Sequence, residues 1–265
     1  MKLVRRGELF VEYSLGSARV LSLSDGYAMM PFDRLVGADF SRLEFASRMN
    51  GEFSLSVQAF LVEISRQLVL IDTGSSNAWR DTTGRLYDAL EEAGIARDAV
   101  TAVAITHCHD DHINGLVMPN GDIAFPNARQ IFVPSSEHDL FRAEQRLSPF
   151  FAALLPLQDG DIVVDGITAM AAHGHEIGHT AYWVASRNER LLIWGDLVHK
   201  PDVQFDDPAV AWEYDTDKDA ARQTRKRVFE MVARQQAAVA GAHLDFPGIG
   251  TILPEGSGYR FVPVS

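Results

Sequence analysis

The segment that most constrains this chain is Thr106-His107-Cys108-His109-Asp110-Asp111-His112, which follows the apolar residues 100–105 without a break. In an extended chain the side chains at i and i+2 share a face, so His107 and His109 converge on one metal while Cys108 points away. If the chain then turns into a helix, Asp111 and His112 project toward a second position close by. Further donors stand at the ends of later predicted strands. These are His175 in His173-Gly174-His175-Glu176-Ile177-Gly178-His179, Asp196 after Trp194-Gly195, and His243 after the apolar residues 237–242. Imidazoles with carboxylates suit zinc first, with manganese, iron or cobalt as alternatives.

The rest of the pattern sets the architecture. Short β-rich runs fall at 18–23, 55–64, 67–71, 100–106, 129–133, 161–170, 181–186 and 191–194. Helical patterns fall at 33–49, 83–93, 135–144 and 217–234, the last opened by Thr216 with Asp219 three residues on. Strands and helices do not alternate strictly, and no glycine-rich phosphate loop follows a strand, which argues against a doubly wound nucleotide-binding fold. With no linker or internal repeat, 265 residues at 46% hydrophobic content are expected to form one domain, 1–265. The formal charge of −12 repels phosphate backbones and anionic headgroups, so neither nucleic acid nor membrane is an expected partner. A lone cysteine and an N-terminus broken by Glu8 and Glu12 predict a soluble cytoplasmic protein.

In order along the chain, Ile71-Asp72-Thr73-Gly74, the His-x-His-x-Asp-His run, Gly174-His175, Gly195-Asp196 and His243 resemble the five motifs of the metallo-β-lactamase superfamily. Three further stretches resemble its methyl parathion hydrolase branch, close to the quorum-quenching lactonases: Gln204-Phe205-Asp206-Asp207-Pro208, Ala242-His243-Leu244-Asp245-Phe246-Pro247-Gly248-Ile249-Gly250 and Gly258-Tyr259-Arg260-Phe261-Val262-Pro263-Val264. The resemblance implies an αββα sandwich, two mixed β-sheets flanked by helices, with a dinuclear site on one edge. It implies that one metal takes His107, His109 and His175, that the other takes Asp111, His112 and His243, and that Asp196 bridges them. Asp72 would orient a ligand or its loop by hydrogen bonds; the bland alternative is a simple Asx-turn. The third motif departs from the family, with His173 and Ile177 where prolines are usual. His173 therefore rivals His175, which alone follows the glycine in register. Asp110 likewise stands beside Asp111, whose spacing to His112 favours it.

The implied reaction is hydrolysis, with a metal-bridging hydroxide adding to the carbonyl of a small neutral, apolar lactone or ester. Asp111 would pass a proton to the departing ring oxygen. His199, three residues after Asp196 where related lactonases commonly carry a tyrosine, would donate a hydrogen bond to the developing oxyanion. A phosphotriester is the alternative substrate, followed by a glyoxalase-II-type thioester and by a non-catalytic metal-binding role. His179 reads as a structural histidine behind the site, Cys108 as a small buried hydrophobe, and His138 as without function. The apolar residues 141–157 and 32–53 read as core, helical in the first case, with a substrate wall or a homodimer surface as the alternatives.

Overall fold

The computed structural model describes residues 1–38 and 51–264. Its strands are β1 (Lys2–Arg6), β2 (Phe10–Leu15), β3 (Ala18–Pro31), β4 (Leu35–Val36), β5 (Glu52–Ile64), β6 (Gln67–Ile71), β7 (Ala102–Ala104), β8 (Gln130–Pro134) and β9 (Leu154–Leu157). They continue with β10 (Ile162–Val164), β11 (Ile167–Ala171), β12 (Thr180–Ser186), β13 (Glu189–Ile193), β14 (Ala211–Trp212), β15 (Ala238–Ala240), β16 (Ile249–Glu255) and β17 (Gly258–Pro263). One sheet has the order β1-β2-β3-β5-β6-β7-β8-β9, the other β10-β11-β12-β13-β15-β16-β17, and β4 pairs with β14 in a small ribbon.

The two sheets pack face to face, because alternate residues of each supply a shared apolar layer. Val20, Phe60, Val69 and Phe132 of the first meet Ile167, Tyr182, Val184 and Ile193 of the second. The outer face of the first sheet is covered by the helix Leu86–Glu92 and the segment around Phe141, Leu147 and Phe150. The outer face of the second is covered by the helix Lys218–Gln235 through Val228, Phe229 and Val232. The layers therefore run helix, sheet, sheet, helix, as expected. Among the described residues no helix is long and apolar enough to cross a membrane.

The parallel pairs β6·β7·β8 and β13·β15 position the site. Chains leaving the carboxyl ends of parallel strands emerge on one rim, where ligands of α/β sheets are usually bound. Asp72 follows β6, His107 follows β7, Asp196 follows β13 and His243 follows β15, so residues far apart in sequence meet there.

Several elements differ from expectation for local reasons. The run 161–170 divides into β10 and β11 at Gly166, which takes a positive φ of 93°. The helix expected over 141–157 gives way to a 3-10 stretch, Gln145–Phe150, and then to β9; Pro149 and Pro156 deny the segment an unbroken helical hydrogen-bond ladder. Its large apolar side chains are nevertheless core. Of the helix expected over 33–49, residues 32–34 form one 3-10 turn and 35–36 a strand, while 39–49 lie outside the described residues. The long helix is capped by Asp217 rather than Thr216. The Asp217 side chain accepts from the N–H groups of Asp219 and Ala220, and the Thr216 N–H is engaged by the His175 carbonyl. The edge strand β1 is exposed on both faces and carries no alternation to reveal it.

Candidate metal centre

Every predicted ligand reaches the shared rim. His107, His109, His175 and Asp196 form one group of donors and Asp111, His112 and His243 a second, with the donor atoms of each group within 4.8 Å of one another. Asp196 lies between the two groups. Its Oδ2 is 3.3 Å from His175 Nε2 and 3.0 Å from His243 Nε2, and its Oδ1 is 3.2 Å from His112 Nε2. Asp111 Oδ2 is 3.5 Å from His243 Nε2 and 3.6 Å from His112 Nε2. Tetrahedral zinc with bonds near 2.1 Å sets its ligand atoms about 3.4 Å apart, and these separations cluster around that value.

The outer nitrogen of each imidazole is already occupied by an acceptor. His112 Nδ1 donates to Asp72 Oδ2 at 2.8 Å, His175 Nδ1 to Asp215 Oδ1 at 2.9 Å, and His109 Nε2 to Glu176 Oε1 at 2.9 Å. His243 Nδ1 donates to the Ser56 carbonyl at 2.6 Å, and His107 Nδ1 lies 3.1 Å from the Thr106 hydroxyl. With the proton outside, each inner nitrogen turns a lone pair toward the same space. His175 Nε2 and His109 Nδ1, both acceptors in that arrangement, face each other at 3.2 Å. His107 Nε2, His112 Nε2 and Asp196 Oδ1 are buried with no hydrogen-bond partner. An orphaned buried polar atom costs about 1–3 kcal/mol, so several aimed at one point describe a cradle for cations. The residues present fit divalent metal ions.

Electrostatics divide the histidines, some held neutral by burial and others drawn toward protonation by the carboxylates beside them. Burial, reinforced by the neighbouring imidazoles, holds His107 well below the ordinary histidine range, and burial drives His199 down to about 3, so both are neutral and can offer lone pairs. Burial would lower His175 as well, but the Asp196 and Asp215 carboxylates outweigh it and raise this group to about 9. Burial would raise Asp196, yet the surrounding histidines hold it well below the ordinary carboxylate value.

Asp72 sits in the left-handed region at φ 59°, an uncommon conformation kept here by its hydrogen bonds. Besides His112 it accepts from the Thr106 N–H at 2.8 Å and the Thr106 hydroxyl at 2.9 Å. His179 is buried behind the site, Nδ1 on the Ala172 carbonyl and Nε2 accepting from the Asp196 N–H at 3.0 Å. His173 and Asp110 are exposed. Cys108 is half-buried, its thiol pushed up by burial. His199 is stacked between Trp212, at 4.8 Å and 14°, and His243, at 5.2 Å and 24°.

Five supporting residues had no sequence signal of their own. Asp215 and Glu176 back ligands, and buried Glu137 joins two ligand loops by accepting from the N–H groups of Cys108 and Gly178. Gln58 Nε2 donates to the Leu244 carbonyl at 2.6 Å beside His243. Asp25 falls at a bulge, where the β3·β5 register shifts between Ser24 and Gly26. Its carboxylate accepts from the N–H and hydroxyl of Ser75 and from the Leu86 N–H, anchoring the loop after Asp72 to a helix start. Gly74 must be glycine there, since a Cβ would lie 2.6 Å from the Asp25 carboxyl carbon and φ is +71°.

A cavity of about 290 Å³ opens over the donors, lined on its other walls by Met30, Leu55, Trp79, Arg80, Trp212 and Tyr214. Phe32 and Phe53 are core packed behind this wall.

An αββα sandwich with a histidine and aspartate cradle on one rim defines a class, and the sequence match is to the same class. Residues 54–243 match the metallo-β-lactamase superfamily, and the chain belongs to it. It is a metal-dependent hydrolase. Among solved structures it is similar to the hydrolase AbOPH of the β-lactamase superfamily (27% identity, 98% of this chain and 99% of that one, TM-score 0.89). It is also similar to AidC, a dizinc quorum-quenching lactonase in complex with the product N-hexanoyl-L-homoserine (25% identity, 97% of each chain, TM-score 0.85). A probable metal-dependent hydrolase from Staphylococcus aureus shares the fold at 18% identity (95% of this chain, 98% of that one, TM-score 0.79). No curated protein matches.

Proposed function

We propose that residues 1–265 act as one domain that holds two divalent metal ions, zinc first, and opens a small, neutral lactone. His107, His109 and His175 would hold one ion, Asp111, His112 and His243 the other, and Asp196 both. The observation that carries this reading is the two groups of donors with Asp196 between them, 3.3 Å or less from His175, His243 and His112, at the floor of one apolar-walled cavity. When bound, two such ions supply a water acidic enough to ionise near neutral pH and a positive charge that polarises the bond under attack.

The protein's own residues do the rest. Asp72 fixes the His112 ring by holding its outer proton. Asp111, at the cavity floor, takes up the proton lost by the attacking water and passes it to the departing ring oxygen. His199 is neutral and immobilised in its stack, and it donates a hydrogen bond to the oxygen that gains charge. Met30, Leu55, Trp79 and Trp212 exclude water and accept an apolar acyl group. The likeness to AidC at 25% identity supports a lactone. The flat faces of Trp79 and Trp212 would also suit the aryl group of a phosphotriester, which is the second reading.

The deciding experiment compares kcat/KM for an N-acyl homoserine lactone and a methyl phosphotriester on protein with measured metal content. A lactone preference of about a hundredfold or more supports the first reading, and the reverse supports the second. His199→Ala should lower kcat/KM for the lactone about a hundredfold with metal content unchanged. A loss of twofold or less removes His199 from the mechanism.

A further inference from the structure

The carboxylate of Asp215 is wholly buried and makes two hydrogen bonds in opposite directions. Oδ1 accepts from His175 Nδ1 at 2.9 Å, and Oδ2 accepts from the Trp212 backbone N–H at 2.8 Å. The chain just after Asp215 repeats this attachment. The Thr216 N–H donates to the His175 carbonyl and the Asp217 N–H to the Gly174 carbonyl, both at 2.9 Å, and Asp217 then caps the long helix. Trp212 in turn forms the cavity wall and stacks on His199.

We infer that Asp215 is a positioning residue that fixes the His175 ring, and with it the three-histidine half of the centre, while docking the cavity wall through the same carboxylate. The inference rests on His175 being a ligand. An ionised aspartate only accepts, so it satisfies both donors and keeps the His175 proton on Nδ1, with the Nε2 lone pair turned inward. An asparagine offers one acceptor oxygen. Whichever way its amide turns, the NH2 group faces either His175 Nδ1–H or the Trp212 N–H, and the ring or the wall is released. Asp215 makes no hydrogen bond to Asp111, His112 or His243, and the outer protons of His112 and His243 are held instead by Asp72 and the Ser56 carbonyl, so its direct effect falls on the His107, His109 and His175 half.

The test is metal competition against a chelator on purified, zinc-loaded Asp215→Asn, repeated with cobalt(II) to follow each half by its visible absorption. The expected result is a tenfold to hundredfold weaker affinity in one half, with the other half within threefold. Equal weakening of both halves would mark Asp215 as merely structural, and no change in either would leave it without a role; both results overturn the inference. If the variant does not fold, the zinc-loaded wild type still decides. In 15N-histidine spectra His175 must carry an exchange-protected proton on Nδ1, and a proton on Nε2 overturns the inference. Wild-type metal loading in His175→Ala would instead remove the ligand assignment itself, a different failure.

Discussion

The buried carboxyl of Asp25 gives the chain a pH dependence that can be isolated. Burial pushes this group up from 3.8 to about 6, against the opposing pull of the Ser75 and Leu86 donors. A folded-state value above the unfolded one means that the folded protein keeps a proton that the unfolded chain has already lost. Its contribution is therefore complete below about pH 4, declines as pH rises to about 6, and is constant beyond. At about 1.4 kcal/mol per pH unit the decline amounts to about 3 kcal/mol. Asp25→Asn does not titrate, so the stability of wild type minus that of the variant should fall by about this amount between pH 4 and pH 7. Urea unfolding of both proteins, metal-free, at four pH values across that interval measures the difference, and all other titrating groups cancel. A flat difference refutes the reasoning. A difference that rises with pH would show that the Ser75 and Leu86 donors outweigh desolvation and hold the carboxyl below its ordinary value.

Two other outcomes follow from local geometry. Gly195 has a φ of +56°, and a Cβ there would lie 2.7 Å from His179 Nε2, which receives the Asp196 N–H. Gly195→Ala should cost about 3 kcal/mol in thermal or urea unfolding and weaken metal binding, and wild-type stability would contradict this. Stripping metal should abolish hydrolysis and lower the melting temperature, and re-addition at about a hundred times Kd should restore about 3 kcal/mol for each ion bound. Unchanged melting after chelation would show that no metal is bound in the folded state.

How far the sequence could be read depended on range. The strands at 55–64 and 67–71 and the donors His107 to His112 were legible because alternation and spacing are local. His175, Asp196 and His243 were legible because each follows an apolar strand. Asp215, Glu137 and Gln58 were not, since each acts on a residue 29 or more positions away and nothing in its neighbours reports that distance. Asp25-Gly26 reads as an ordinary turn dipeptide, and only the pairing of β3 with β5 reveals a bulge. Residues 154–157 carry the composition of a core segment, and it took a parallel partner, β8, to make them a strand.

The sandwich has a second rim, and its turns are simple. Ser65 and Arg66 join β5 to β6 with positive φ at both positions, and Arg187 and Asn188 join β12 to β13; all four are exposed. Five residues of β6, about 17 Å of chain, separate Arg66 from Asp72. A cysteine introduced at 66 or 188 would fasten the molecule to a solid support with its cavity facing the liquid. The native thiol of Cys108 would not compete, because burial, and then the Glu137 carboxylate, keep it protonated. One immobilised orientation, without further protection chemistry, is thus built into the separation of the two rims.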